Sequence, residues 1–356
     1  MAAPKPAKAS TRASGPTADG SVGGLYEACV GVNDLAEAID FFAAFGCRAG
    51  TTGEISAQQA QCLYGVNSAL RSVRLQHQSA DHGLLRLMQW DQPRNDGVGL
   101  ADNLRCIGSR WGVRLTANSY NIVNHVERAR QAGMAVNMIA PQLVVIDEVS
   151  GRLTSRPFRD PIVGVREMVL LTQYSRQVLF ERFGYESPLY GQIDMQSLLR
   201  TSQHTHCGLM IADDDPAILD FYEELLGLKR TFDDMTPYEN TSGSRAIFGL
   251  EPGEGFHMVD FDDPRTGMTL AERRSGKLKC VRFAAGAKIA DCRDRSRAGS
   301  LGYSLYTWRV ANLLSIWKRA ASCGGTAISD ICCDEFGAQS FTLNAPDGYQ
   351  CLLLQA

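Results

Sequence analysis

The chain has 356 residues, 44% hydrophobic and 21% charged, with 36 lysines and arginines against 39 aspartates and glutamates for a formal charge of −3. The basic residues form no long block, so nothing in the charge favours nucleic acid or an anionic membrane surface, and no apolar run reaches the ~18 residues of a transmembrane helix. The length exceeds one ordinary core and implies two domains of a globular chain.

Residues 1–24, MAAPKPAKASTRASGPTADGSVGG, carry almost no large apolar side chain. They cannot bury enough surface to offset the entropy of ordering and read as a disordered tail. From residue 25 onward one pattern recurs. VGVNDLAEAIDFFAAFGCRAG (30–50) gives a short apolar strand, an Asn-Asp turn able to cap a helix, an apolar helix face, and a glycine before the next strand. LMIADDDPAILDFYEELLGLKRT (209–231) repeats it, with Phe221 in the place of Phe41 and Gly227 in that of Gly46. WGVRLTANSYNIVNHVERARQAGMAV (111–136) and LGYSLYTWRVANLLSIWKRAASCGGTAI (301–328) are weaker copies. Strand-like runs follow the helices, and in the last copy the turn PDG precedes the final one. The pattern predicts an α+β chain of four βαβββ units at about 25–92, 111–174, 204–262 and 301–356. Residues 175–203 read as an interdomain linker and 263–300 as a long excursion over the third unit. The eleven cysteines are odd in number, irregular in spacing and without a CxxC pair, which points to a reduced, cytoplasmic protein.

A βαβββ unit with strand–Asp–helix–Gly at its front and PDG before its last strand resembles the vicinal oxygen chelate superfamily. That superfamily includes glyoxalases, bleomycin-resistance proteins and type I extradiol dioxygenases, and the resemblance covers nearly everything after residue 24. It implies two glyoxalase-like domains, 25–174 and 204–356, in which paired units curl their strands into a cup with helices outside and substrate within. Metal-using members draw ligands from the first and last strands of paired units, in the dioxygenases a 2-His-1-carboxylate set. On that pattern His206 takes the place of the first ligand, but Tyr303 and Leu352 occupy the matching places of the fourth unit. The strand EGFHMVDF offers His257 or Asp260 around Met258. In the first two units the matched places lie near Glu27, Arg86, Val113 and Glu167, and a cation beside Arg86 would be repelled. No cofactor is therefore expected; a divalent ion, if bound, would lie near His206 and His257. Glu27 and Arg86 are expected to form a structural ion pair. His204 is expected on the same face as His206, as a solvated neighbour.

Three functions stay open. The first is a lyase or isomerase working by acid–base chemistry without the usual metal triad, its proton transfers carried by His206, Tyr303 and His257. Its substrate would be a small, partly apolar or phenolic molecule contacted by Phe256, Met258, Tyr306 and Trp308. The second is a non-catalytic binding or resistance protein. The third is a dioxygenase or glyoxalase-like enzyme with unusual metal ligands. In each case the partner is a small molecule rather than nucleic acid or membrane, and the protein is a monomer or homodimer.

Overall fold

A computed structural model describes residues 19–78, 80–100, 104–148, 161–212, 215–241, 243–284 and 286–356. Unit one runs through β1 (Glu27–Gly31), α1 (Leu35–Ala43), β2 (Arg48–Ile55), α2 (Ala57–Tyr64), β3 (Leu70–Gln76) and β4 (Leu84–Trp90). A short β5 (Cys106–Ile107) leads into unit two: β6 (Arg110–Thr116), α3 (Ser119–Gln131), β7 (Asn137–Glu148), β8 (Pro161–Leu171) and β9 (Arg176–Phe183). Unit three holds β10 (Thr201–Met210), α4 (Asp220–Glu224), β11 (Lys229–Thr236), α5 (Ser244–Phe248), β12 (Phe256–Asp262) and β13 (Lys277–Phe283). After β14 (Ala290–Asp291), which pairs with β5, unit four holds β15 (Gly302–Val310), α6 (Leu313–Ala320), β16 (Cys332–Cys333), β17 (Gln339–Asn344) and β18 (Gln350–Gln355).

The repeat has a local cause in each unit. Asp34, Asn118 and Asn312 cap the helices after the first strands by accepting backbone N–H groups, and in unit three Asp215 accepts the Ala217 N–H at the start of the 3-10 turn that leads into α4. Gly46, at φ 83°, turns the chain out of α1 in the left-handed region. α2 and α5 are additions to the βαβββ pattern, inserted between the second and third strands of units one and three.

The four units build two eight-stranded sheets, ordered β16-β17-β18-β15-β1-β4-β3-β2 and β11-β12-β13-β10-β6-β9-β8-β7. Unit one therefore shares a sheet with unit four, through antiparallel β1 and β15, and unit two with unit three, through β6 and β10. The expected pairing of sequence neighbours, 25–174 and 204–356, is not the one the sheets use. All four first strands are buried along nearly their whole length, so burial pattern alone does not choose among partners.

The sheets meet back to back. Val30, Leu85, Tyr303, Tyr306 and Trp308 from one, and Cys207, Leu209 and Phe261 from the other, share a core with the inner faces of α1, α3, α4 and α6. The Tyr306 hydroxyl crosses between sheets to the carbonyls of Gly208 (2.8 Å) and Trp111 (2.9 Å). Each cup thus faces outward.

Three boundaries move. β9 lies within the stretch read as a linker, and β13, the true last strand of unit three, within the supposed 263–300 excursion. KLKCVRF opens by alternating lysine with apolar residues, a half-buried strand with both lysines on one face. Of the supposed tail, residues 1–18 lie outside the described residues. The remainder is seated, with Ser21 N–H on the Leu226 carbonyl (2.8 Å) and Gly24 N–H on Asp263 Oδ2 (2.8 Å). Backbone hydrogen bonding, which needs no apolar side chain, holds it. Among the described residues no helix is long and apolar enough to cross a membrane.

Candidate active site

The cup of units one and four is closed by α2. Ser56 and Gln59 cap this helix reciprocally and Gly65 ends it at φ 67°, which lays Ala60, Leu63 and Tyr64 onto the sheet. Arg86 is buried at the centre. Its Nε donates to Glu27 Oε2 at 2.7 Å, its Nη1 reaches Glu335 Oε1 and the Tyr64 hydroxyl at 3.2 Å each, and its Nη2 lies 3.1 Å from Asp334 Oδ2. Arg74 donates to the other Glu27 oxygen at 2.7 Å. A buried guanidinium is tenable only with such company. Burial works against the Glu27 charge, but Arg86 and Arg74 outweigh it and hold that carboxyl below its ordinary range.

The cup of units two and three is furnished differently. The strand registers place Glu167 on β8, Arg182 on β9, His206 on β10, Asp260 on β12, and Lys277 and Lys279 on β13 toward its interior. Trp111, Phe180, Phe248, Phe256 and Met258 supply an apolar lining. Asp260 Oδ2 lies 2.9 Å from Lys277 Nζ and 3.5 Å from Lys279 Nζ, while Asp262 lies 3.0 Å from Lys277. The Lys279 side chain remains 22% exposed.

His206 is buried at the end of this row, its ring edge-on to Phe180 at 5.5 Å. Its Nδ1 lies 3.0 Å from Thr205 Oγ1 and 3.2 Å from the Tyr190 hydroxyl. Thr205 also donates to the Val113 carbonyl at 3.2 Å. The Tyr190 hydroxyl can donate to Nδ1 or accept from it, so these contacts serve either tautomer of the neutral ring. Nε2 has no hydrogen-bond partner among the described residues. Burial, then the charges of Lys279, Lys277 and Arg182, hold the pKa of His206 well below the ordinary histidine value, so the ring is neutral. Burial acts oppositely on Glu167, raising its carboxyl to about 7 against the pull of Lys279.

Not all expected site residues meet here. Phe256 and Met258 do line the cup that holds His206. Tyr303 does not face His206: a β-bulge between Cys29 and Val30 shifts the register, Thr307 stands opposite Glu27, and Tyr303 turns to the back face. There its hydroxyl meets His204 Nε2 at 3.3 Å. A register shift between His204 and His206 likewise sends these two rings to opposite faces, so His204 is buried rather than solvated. His257 points out of the cup, its Nε2 2.6 Å from Asp233 Oδ1, and cannot share an ion with His206. Tyr306 and Trp308 belong to the core between the sheets, not to a ligand surface. The residues missed were Lys277, Lys279, Arg182 and Tyr190. The two lysines were legible in the alternation of KLKCVRF; Arg182 and Tyr190 lay in the supposed linker.

Solved structures share the overall fold. Glyoxalase I from Zea mays superposes with a TM-score of 0.52 at 12% identity, covering 94% of this chain and 92% of that one. A protein of Bacillus subtilis subsp. subtilis str. 168 with a provisional dioxygenase name gives 0.53 at 12% identity, covering 95% and 86%. The chain has the vicinal oxygen chelate fold. No protein-family model and no curated protein sequence matches it.

Vicinal oxygen chelate proteins that use a metal hold it with side chains from paired units, and neither cup here fits such an ion. In units one and four the guanidinium of Arg86 already fills the space between the carboxylates. In units two and three His206 faces Val113 across β6 and is flanked by Lys277 and Lys279, whose charges would oppose a cation. Among the described residues no group of three or more His, Cys, Asp or Glu could hold an ion.

Proposed function

We propose that the cup of units two and three binds a small, partly apolar molecule bearing an ionisable oxygen and moves a proton on it, as a lyase or isomerase does. The observation that carries this reading is the unpartnered Nε2 of His206 in a cup that also holds a cationic Lys279 and a carboxyl poised near neutrality. A buried nitrogen without a partner costs roughly 1–3 kcal/mol, which a substrate hydroxyl or amide would offset on binding.

The roles divide according to proton affinity. His206, held neutral, offers its unpartnered Nε2 as a hydrogen-bonding group and orients the substrate. Glu167, near pH 7, is the proton carrier, where acid–base catalysis is most efficient. A carbon acid next to a carbonyl gives its proton to the Glu167 carboxylate; the electron pair passes to the carbonyl oxygen, whose charge the Lys279 ammonium stabilises; the protonated Glu167 then returns the proton to the α-carbon or, where a double bond is conjugated with the enolate, to the γ-carbon, and the carbonyl re-forms. Phe180, Phe256 and Met258 would receive the apolar part.

Phenylpyruvate, an enolisable keto acid with an aromatic ring, serves as a test probe. The chain should accelerate exchange of its α-protons in D2O, followed by NMR, and Glu167→Gln should reduce that acceleration by ~10²–10⁴ with the fold intact. Binding without exchange would favour a sequestering protein. Neither binding nor exchange, across this probe and simple phenolic acids, would overturn the assignment of the cup.

A further inference from the structure

We propose that Cys62 and Cys332 form a reversible disulfide, a redox modification site that clamps α2 across the cup of units one and four. Their sulfurs lie 2.6 Å apart as free thiols. A bonded pair stands at about 2.05 Å, so closure needs a movement of only about half an ångström. Cys62 is exposed on the outer side of α2, and Cys332 is half-buried on β16. The site is therefore open to a small oxidant from solvent.

The position of the pair gives the bond its consequence. Two residues after Cys62 comes Tyr64, whose hydroxyl donates to Glu335 at 2.8 Å and meets Arg86. Two and three residues after Cys332 come Asp334 and Glu335, both of which face the Arg86 guanidinium. The disulfide would join the two segments that enclose that charge, across 270 residues of chain. Cross-links that close long loops restrict the unfolded chain most.

The chemistry is a double exchange with a small-molecule disulfide. Cys62, the exposed member of the pair, is the first nucleophile because solvent-borne oxidant reaches it first. The Cys62 thiolate attacks one sulfur of the oxidant, breaking its S–S bond and releasing one thiol. Cys332 gives up its proton and attacks the mixed disulfide at the Cys62 sulfur, releasing the second thiol. Two protein thiols are oxidised and one disulfide is reduced to two thiols.

The full chain, reduced and then incubated with oxidised glutathione at pH 8, tests this. Peptide mapping should recover one cross-link between the segments carrying Cys62 and Cys332, reversed by dithiothreitol. The melting temperature should rise by roughly 5 °C on closure. Cys333→Ser should keep the cross-link, and Cys62→Ser should remove it; Cys332→Ala gives the same readout should Cys62→Ser not fold. A folded protein in which Cys62 stays reduced, stops as the glutathione adduct, or pairs with Cys333 would overturn the proposal.

Discussion

Arg86 holds Glu27 in a 2.7 Å ion pair with neither side chain exposed to solvent. The parallel register that sets Arg86 on β4 beside Cys29, two residues past Glu27, recurs in the second sheet, where Lys279 on β13 lies beside Gly208, two past His206. Both cups therefore carry a fixed cation on the last strand of a unit. In the first, carboxylates saturate it. In the second, an unpartnered imidazole nitrogen and a half-buried carboxyl stand near it.

Removing the first cation should be costly. Arg86→Leu leaves Glu27, Asp334 and Glu335 gathered without their common partner, and breaking a buried pair in this way costs about 3–5 kcal/mol. Adding Glu27→Gln to that variant should recover part of the loss, since the two sites share one network. Urea denaturation of both variants measures this; a loss under about 1 kcal/mol for Arg86→Leu would contradict it.

Glu167 makes a prediction with a definite sign. Burial raises its carboxyl from 4.5 to about 7, so between those pH values the folded chain keeps a proton that the unfolded chain has released. Its contribution to stability is present below pH 4.5 and lost as pH rises toward 7. Glu167→Gln should therefore stabilise the protein at pH 8, by on the order of 2–3 kcal/mol, and hardly at all near pH 4.5. Denaturation curves at the two pH values give the comparison.

The buried histidines act in the other direction. Burial and the charge of Arg114 lower His77 to about 4, and burial likewise holds His204 and His206 well below 6.5. Their stabilising contribution is complete above pH 6.5 and is lost as pH falls, because the unfolded chain takes up protons that the folded chain refuses. Stability should drop steeply from about pH 6.5 toward 4, and His77→Gln should flatten that slope by about 1.4 kcal/mol per pH unit. An unchanged slope would remove His77 from the account.

Tyr303→Phe should separate core from site. It deletes the hydroxyl 3.3 Å from His204 Nε2 and should cost about 1–2 kcal/mol in stability. Probe binding in the cup of units two and three should be unaffected. A selective loss of binding, with stability unchanged, would return Tyr303 to the site.

How far these features were legible in the sequence depends on the range of the interactions behind them. The βαβββ repeat is local: an apolar strand, a capping Asp34 or Asn312 and a left-handed Gly46 act over a few residues, and the units stand out for that reason. The Glu27–Arg86 pair was also visible, because a lone buried arginine demands a partner. Register was not visible. Single-residue bulges in β1/β15 and β10 reverse the faces of Tyr303 and His204, and no composition signal marks them. The strand β13 showed in the sequence only as the lysine–apolar alternation of KLKCVRF, which sits among so many Arg, Lys, Asp and Gly residues that the stretch around it looks like a surface loop.

The nesting of the units also orders assembly. Units two and three are neighbours in the chain and can pair as soon as β10 follows β9, whereas Glu27 and its partner Thr307 are separated by 280 residues. Contacts that far apart carry a larger loop-closure entropy and form slowly unless the intervening chain is already compact. On these grounds the inner sheet should act as the template that brings β1 and β15 together, and pulse-labelled hydrogen exchange during refolding should protect β6 and β10 before them. A lesion in the inner sheet would then cost the protein both cups, while one in the outer sheet would cost it only the cup built around Arg86.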